Sequence, residues 1–234
     1  MRIKILILFM VSMAAVFGLI SCAGEEETVQ DELQAEQIHE QALTVDTHCD
    51  TPMMMVGGGY DMGVYHAATD ERRGRIDLPR MQEGGLDAEF FAAFVGQGPL
   101  TAEGYAEAES RARKAIQAVH QMCDDYPEMV SLAVSPEDAR RLEAEGKIAA
   151  YIGMENGYPI GKDLSKVQTF YDMGVRYITL CHSSDNDICD SSTDRRNPDD
   201  QGLSEFGRQV VDECNRLGIM VDISHASDQS FYDV

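Results

Sequence analysis

Positive charge is scarce in this sequence, which has 19 lysine and arginine residues against 41 aspartate and glutamate residues, and a formal net charge of −22 at pH 7. A surface that binds nucleic acid or an anionic membrane needs clustered basic side chains. The composition therefore argues against nucleic acid, and against direct binding of anionic lipid, as partners of the protein.

Several common site motifs are also missing. No two cysteines have CxxC spacing, and no cysteines and histidines have zinc-finger spacing. The glycine-rich segment MVGGGYDMG, at 55–63, lacks GxGxxG spacing and a following helix start. The sequence also shows no internal repeat. These absences argue against a zinc finger, a dinucleotide-binding unit and a repeat architecture.

A long hydrophobic run stands at the start of the chain, at 5–20, after Arg2 and Lys4. It is short for a membrane span and has the charge pattern of a signal peptide. The run leads into Leu-Ile-Ser-Cys, which resembles a bacterial lipobox. We therefore predict that residues 1–21 are a lipoprotein signal peptide and that Cys22 is lipidated. The alternative is an ordinary cleaved signal with a coincidental cysteine.

Residues 22–40 are polar, acidic and free of aromatic side chains, so they are predicted to form a solvated tether. Acidic residues just after the lipidated cysteine favour placement in the cell envelope, at the outer membrane of a Gram-negative bacterium. Five further cysteines follow, an odd number that leaves at least one unpaired within the chain. We favour the interpretation that most are small buried residues. They are Cys49, Cys123, Cys181, Cys189 and Cys214.

From residue 41 to 234 the chain alternates apolar, β-rich runs with helix-like stretches. Strands are predicted at 42–46, 88–95, 147–154, 175–181 and 218–224, and helices at 103–123, 136–145, 164–173 and 204–217. Apolar strands separated by helices predict an α/β fold with a parallel sheet covered on both faces. Both an open doubly wound sheet and a (β/α)8 TIM barrel satisfy this pattern. Polar residues at the strand ends favour the barrel.

The helix ends carry strong local signals. Ser135 and Pro136 predict an N-cap followed by a proline at the first helical position. Gly146, Gly174 and Gly218 each follow a predicted helix and precede a predicted strand, as C-terminal glycines do.

Polar side chains stand at the ends of four of the five predicted strands. His48 and Asp50 end the first strand, Glu155 the third, His182 the fourth and His225 the fifth. Imidazole and carboxylate ligands together suit zinc or a similar divalent ion. Taken singly, the His-x-Asp pair is explained equally well by a satisfied polar pair at a strand end, and the lone glutamate and histidines are better explained by capping or by ordinary hydrogen bonds. Their joint placement at one rim predicts the site of a metal-dependent hydrolase.

Other polar residues receive different interpretations. Asp46, two residues before His48, is predicted to share its strand face and to support the site from deeper in the strand. His39, His66 and His120 have no comparable placement, and we predict that all three face solvent.

The run ENGYPIGKDLSKVQTFYDMGVRYITLCH, at 155–182, resembles a family signature. On this run the chain resembles the membrane (renal-type) dipeptidases, peptidase family M19, and most closely their bacterial lipoprotein members. Supporting segments are DTHCD at 46–50, DLPRMQEGGLDAEFF at 77–91, DSSTD at 190–194 and LSEFGRQVVDECNRLGIMVDISHAS at 203–227. Together they cover nearly everything from residue 43 to the end.

The resemblance implies a (β/α)8 barrel with a binuclear zinc centre, two zinc ions per complete chain, and hydrolysis of dipeptides, including those with a C-terminal D-residue. Residue by residue, it implies that His48 and Asp50 bind the first metal and that Glu155 bridges both metals. It implies that His225 binds the second metal and that His182 binds substrate near the scissile carbonyl. It also implies a homodimer when the protein is full length.

The sequence departs from the family pattern at several positions. Asn156 stands where better-known members have glycine, and the methionines at 53–55 replace an aromatic residue of mammalian members. A second-metal histidine, a substrate-binding arginine and a proton-shuttling aspartate are expected at positions beyond Val234. We therefore expect this chain to correspond to about the first five βα units of the barrel and to be inactive by itself.

Two alternative functions remain open from the sequence. One is another binuclear hydrolase of the amidohydrolase type, although such enzymes commonly begin with HxH and use a strand-end lysine, neither of which occurs here. The other is a non-catalytic surface lipoprotein with a degenerate barrel.

Overall fold

A computed structural model describes residues 34–67, 74–196 and 199–234. The chain divides into two compact units, Met1–Ala42 and Leu43–Val234. In the first unit, the described residues 34–41 form an exposed helix, α1. The end of the segment predicted as a solvated tether is therefore helical. The predicted signal peptide and Cys22 lie outside the described residues. Over the described ranges, no helix combines the length and the apolar character needed to cross a membrane.

The second unit alternates strands and helices along the chain. Its strands are β1 (Val45–Cys49), β2 (Ala88–Ala92), β3 (Val130–Leu132), β4 (Ile148–Glu155), β5 (Val175–Thr179) and β6 (Met220–Asp222). Its helices are α2 (Pro52–Met55), α3 (Leu78–Glu83), α4 (Ala102–Asp125), α5 (Pro136–Ala144), α6 (Ser165–Asp172), α7 (Glu205–Leu217) and α8 (Asp228–Asp233), with a 3₁₀ turn at Tyr158–Ile160.

The strands form one parallel sheet in the order β1-β2-β4-β5-β6, and β3 pairs with the first part of β4. A hydrogen bond of 2.8 Å joins Tyr177 on β5 to His48 on β1, although β2 and β4 lie between them. In a flat sheet, strands three positions apart are separated by about 14 Å, and side chains standing perpendicular to the sheet would not meet. The sheet is therefore curled into part of a barrel, as predicted.

The two faces of the sheet build different apolar clusters. Phe91 and Ile152 belong to the large cluster that contains the buried face of helix α4, including Ile116. Phe90 belongs to the concave-face cluster, where its ring stacks on Tyr151 with centroids 4.6 Å apart. Neighbouring residues point to opposite faces because side chains alternate along a strand. Strands β2 and β4 are buried throughout, which explains their continuous apolar sequences.

The helix ends follow the predicted signals. Ser135 caps α5 and forms a capping box with Asp138, and Pro136 is the first residue of that helix. Gly146, Gly174 and Gly218 have φ angles of 72°, 99° and 77°. A residue without Cβ adopts this left-handed conformation at little cost.

Some elements differ from the prediction. Strand β1 spans Val45–Cys49 rather than 42–46, because its register is set by pairing Val45 with Ala88 on β2. Local apolar pattern does not determine such a register. Strand β3, with three residues, and the short helices α2 and α3 were not predicted. Segments of this length are too short for a periodic pattern to identify.

One acidic side chain is buried within β2. Glu89 is 0% exposed, and neither of its carboxylate oxygens has a hydrogen-bond partner among the described residues. Burial, followed by the negative charge of Asp46, raises the pKa of Glu89 to about 8, against the opposing effect of His48. The side chain is therefore largely protonated at neutral pH, which lowers the cost of burying it.

Replacing Glu89 by glutamine should remove a pH dependence of stability. Its pKa rises from 4.5 to about 8 on folding, so the extra stability is fully present below the lower value and is lost as pH rises through the higher one. The slope reaches at most about 1.4 kcal/mol per pH unit. Urea unfolding of both proteins at intervals between about pH 5 and 8.5 measures it. Equal slopes for Glu89→Gln, the wild type and a surface control, Glu143→Gln, would show that Glu89 does not titrate in this way.

Candidate metal centre

The side chains predicted at the strand ends meet at one rim of the sheet. His48 lies near the end of β1, Glu155 is the last residue of β4, and His182 and His225 follow β5 and β6. Asp50 lies just past β1. The carboxyl ends of parallel strands lie at the same edge of a sheet, and this edge is where barrel enzymes place their active sites.

Glu155 lies between two groups of candidate metal ligands. Its Oε2 is 3.4 Å from His48 Nε2, which is itself 3.4 Å from Asp50 Oδ1. Its Oε1 is 3.5 Å from His182 Nε2 and 3.4 Å from His225 Nε2. The two groups thus share one carboxylate through different oxygens, which is the arrangement that lets a carboxylate bridge two ions.

Both groups have a donor chemistry that fits a divalent metal. Imidazole nitrogen and carboxylate oxygen are the ligands that zinc takes at catalytic sites. Within each group the ligand atoms lie within 4.8 Å of one another, close enough to surround one ion. Each group supplies three protein ligands, and a catalytic zinc site of that kind leaves a position for water or substrate.

The charges at this rim are strongly linked. The hydrogen bond that His48 makes with Glu155 raises the pKa of His48 to about 9, although burial acts to lower it. Burial, followed by the negative charge of Glu155, raises the pKa of Asp50. Burial also acts to raise the pKa of Glu155, but its hydrogen bond and charge interaction with His48 outweigh burial and lower it. Two neighbouring carboxylates are thus held close together, and a bound cation would relieve their repulsion.

Asp46 supports the strand backbone. Its Oδ1 accepts the backbone N–H of His48 at 3.1 Å, and its register partner on β2 is Glu89. The register of β1 shifts between Asp46 and Cys49, so simple alternation does not extend from Asp46 to His48. The supporting role of Asp46 behind the metal ligands stays a prediction.

Asn156 fixes the chain directly after Glu155. It is fully buried and has a φ of 80°, a conformation that is unfavourable for a residue with a Cβ. Its Nδ2 donates to the carbonyl of Val95 at 2.9 Å, and its Oδ1 accepts from the Tyr158 N–H and from Asn186 Nδ2, both at 3.1 Å. The left-handed backbone explains why glycine suits this position. Asparagine tolerates it as well and joins three loops around the site.

The segment DSSTD, at 190–194, holds two histidines by their backbone carbonyls. Ser191 Oγ donates to the carbonyl of His182 at 2.6 Å. Ser192 donates its N–H at 2.9 Å and its Oγ at 3.1 Å to the carbonyl of His225. His225 has a φ of 67°, and these contacts hold it in that unfavourable conformation. The roles of both serines were not predicted. The similarity of the DSSTD segment to the same segment of the family was the signal in the sequence that could have indicated them.

A cavity of about 540 Å³ opens beside this rim on the concave face. Its lining includes His48, Glu155, His225, Phe90, Tyr177 and Met220. Phe94 meets the ring of His182 edge-on, with centroids 4.8 Å apart. A largely apolar cavity with a few polar groups is typical of a small-molecule site.

Two of the three histidines predicted to face solvent are half-buried. The ring of His66 stacks on Tyr60 with centroids 4.0 Å apart, and His120 Nε2 is 2.9 Å from the carbonyl of Met173. The prediction was therefore wrong for His66 and His120, because tertiary neighbours cover a loop and a helix face that look polar in sequence. His39 is exposed, as predicted.

The cysteines of the described residues are free thiols. Cys181, Cys189 and Cys214 are buried, and Cys49 and Cys123 are half-buried. Burial, as the largest effect, raises the pKa of Cys214 to about 12, which keeps this thiol protonated. The interpretation of these cysteines as small buried residues therefore holds.

Comparison with known proteins shows the same family along most of the chain. Residues 32–234 match the family model described as membrane dipeptidase (peptidase family M19). Dipeptidase 3 of Rattus norvegicus is 32% identical over 206 residues, which cover 82% of this chain and 40% of the relative. The chain thus spans less than half the length of this curated relative.

Solved structures show the same fold. The "probable dipeptidase PvdM" of Pseudomonas aeruginosa is 30% identical, with a TM-score of 0.75 over 86% of this chain and 51% of that one. A metallopeptidase of Rhodobacter sphaeroides, liganded with a phosphinate mimic of the dipeptide L-Ala-D-Ala, is 25% identical, with a TM-score of 0.69 over 81% and 60% of the two chains.

Replacing Glu155 by glutamine should abolish tight metal binding. The change replaces one of the two carboxylate oxygens by an amide nitrogen and removes the negative charge that both groups share, so we expect zinc affinity to fall by more than about 100-fold, beyond the loss typical of outer contacts. Competition with a chromophoric zinc chelator measures the affinity. Glu143→Gln, on the exposed surface of α5, serves as the control and should bind zinc like the wild type. Wild-type affinity in Glu155→Gln would rule out this carboxylate as a ligand.

Proposed function

The chain belongs to the membrane dipeptidase family, peptidase family M19, and from this premise we propose that the whole protein is a zinc-dependent dipeptidase. Its substrates are dipeptides, including those with a C-terminal D-residue. The observation that carries the proposal is the position of Glu155, whose two oxygens each face a separate group of metal ligands.

In this proposal, His48, Asp50 and Glu155 would hold one zinc ion, and Glu155 and His225 would contribute to a second. Zinc supplies Lewis acidity and makes water acidic enough to provide hydroxide near neutral pH. The protein must hold the scissile carbonyl of the dipeptide within reach of the hydroxide. It must also stabilise the negative charge that develops on the carbonyl oxygen.

His182 has the position to stabilise this charge. Its Nε2 faces Glu155, and its Nδ1 is 3.2 Å from the hydroxyl of Ser183. When Ser183 donates to Nδ1, the imidazole carries its proton on Nε2 and offers it to the carbonyl oxygen. Phe94 packs against the ring and limits its rotation. His182 also lies at ligand distance in the second group, and the zinc content of His182→Ala separates a ligand from a substrate-binding residue.

The family membership weakens the two alternatives. An amidohydrolase of this type would carry a lysine at the end of a strand, and in the described residues no lysine lies within a strand or in the three residues that follow one. A non-catalytic lipoprotein would not need the unfavourable backbone conformations that hold His225 and the residue after Glu155.

The proposal is tested by hydrolysis of L-Ala-D-Ala with zinc, using the protein at the full length of its relatives. His182→Ala should keep two zinc ions per chain and lose about 10²–10³-fold in kcat, as expected for one oxyanion donor. The 234-residue chain alone should bind zinc but show no turnover. A zinc-loaded full-length protein that hydrolyses no dipeptide would refute the activity. Loss of one zinc ion in His182→Ala would make this residue a ligand instead.

We also propose that the protein is a lipoprotein of the cell envelope, anchored through Cys22 at the outer membrane of a Gram-negative bacterium, and that it forms a homodimer at full length. The support for the anchor is the signal-like leader before Cys22 and the acidic residues after it, and the support for the homodimer is the resemblance to the family. Stable anchoring of this kind takes more than one acyl chain.

Replacing Cys22 by serine should release the protein from the membrane fraction. In cells fed an alkyne-tagged fatty acid, the wild type should become labelled and Cys22→Ser should not, because serine lacks the thiol that receives the lipid. Cys123→Ser is the matched control, and it should keep the label. An unlabelled wild type, cleaved and released like an ordinary secreted protein, would contradict the anchor.

A further inference from the structure

Tyr177 is the hydrogen-bond partner of the first metal-binding histidine. Its hydroxyl is 2.8 Å from His48 Nδ1, and the two rings lie nearly parallel, 24° apart, with centroids separated by 6.3 Å. The other ring nitrogen of His48, Nε2, faces Asp50 and Glu155. The imidazole thus has one nitrogen toward the ligand group and one toward Tyr177.

The contact spans the concave face of the sheet. Tyr177 lies on β5, His48 on β1, and β2 and β4 lie between them. The side chain of Tyr177 reaches His48 by passing over Gly153 on β4. A Cβ at position 153 would block this path, because it would lie 2.0 Å from Tyr177 Cζ and 2.2 Å from Tyr177 Cε1. Glycine at the register partner of Tyr177 leaves a groove that the tyrosine ring fills.

Packing fixes the ring in this groove. Tyr177 is 6% exposed, and its ring centroid is 5.6 Å from that of Phe90 on β2. A tyrosine buried this far keeps its hydroxyl paired, since an unpaired buried hydroxyl costs free energy. The hydroxyl therefore has a fixed position from which it can orient the imidazole.

The hydrogen bond also decides which nitrogen of His48 can bind a metal. A neutral imidazole has one N–H donor and one acceptor nitrogen. When Nε2 gives its lone pair to a metal, Nδ1 carries the proton and donates it to the tyrosine oxygen. Metal-binding histidines generally donate their second N–H to an oxygen, which fixes the ring and its tautomer. The carboxylate of Asp46 accepts the backbone N–H of His48 and not a ring N–H. The oxygen that fixes the imidazole ring is therefore that of Tyr177.

We propose that Tyr177 is a positioning residue that holds His48 with Nε2 directed to the metal, and that Gly153 is the position that allows it to do so. The inference rests on the metal site of the proposed function and does not depend on the identity of the substrate.

The test compares zinc binding by Tyr177→Phe and Tyr151→Phe. Tyr151 is equally buried on the same face, at 6% exposure, but its hydroxyl donates to the carbonyl of Ser135. Each variant loses one hydroxyl and one hydrogen bond. We expect about 10–100-fold weaker zinc binding in Tyr177→Phe, measured by competition with a chromophoric chelator, and wild-type binding in Tyr151→Phe.

A second readout follows the imidazole itself. In zinc-loaded protein with ¹⁵N-labelled histidine, His48 should show a protonated Nδ1 whose hydrogen exchanges slowly, and this exchange should become faster in Tyr177→Phe. A general loss of stability would not change exchange at this one nitrogen selectively. Gly153→Ala, which keeps the hydroxyl but displaces the ring, should weaken zinc binding in the same direction.

The outcomes separate the inference from the proposed function. If the wild-type protein binds no zinc, the proposed metal site itself is refuted. A zinc-binding wild type with an unchanged Tyr177→Phe overturns the role of Tyr177 and leaves the metal site standing. Equal losses in Tyr177→Phe and Tyr151→Phe overturn it as well, because they would trace the effect to the packing of the concave face. If Gly153→Ala does not fold, the pair of tyrosine variants still decides.

Discussion

The parallel pairing of β4 is the constraint on which the rest of the structure depends. This strand, Ile148–Glu155, is buried along its whole length and pairs with β2 on one edge and with β3 and β5 on the other. Parallel strands all end at the same rim, so the last residue of β4 lies between the ends of its neighbours. That residue is Glu155, and its two oxygens consequently face β1 on one side and β5 and β6 on the other.

Holding these groups at the rim has a structural cost, and the surrounding loops offset it. Asn156 and His225 have left-handed backbones, which cost of order 1–3 kcal/mol each. Hydrogen bonds oppose that cost: the buried side chain of Asn156 joins three loops, and the exposed Ser192 donates to the carbonyl of His225. Unfavourable backbone at a site that gathers five potential ligands is typical of positions under functional constraint.

The concave face combines this polar rim with an aromatic interior. Phe90, Tyr151 and Tyr177 fill it, and of the two tyrosine hydroxyls that of Tyr177 reaches the rim, whereas that of Tyr151 donates to the carbonyl of Ser135. At the two ends of the described sheet, Val45 on β1 and Met220 on β6 are 46% and 52% exposed. A strand at the edge of a sheet presents backbone N–H and C=O groups to which another strand can pair.

The sequence by itself determined the alternation of strands and helices, their caps and the rim residues. Continuous apolar runs, Ser135 with Pro136, and the glycines after helices are local signals, and His48, Asp50, Glu155, His182 and His225 follow strands that these signals identify. The tertiary structure alone decided the register of β1, the pairing of β3, the burial of His66 and His120, and the contact from Tyr177 across Gly153 to His48. Each of these depends on residues far apart in the chain whose meeting is set by the curl of the sheet, and local propensity contains no information about that curl.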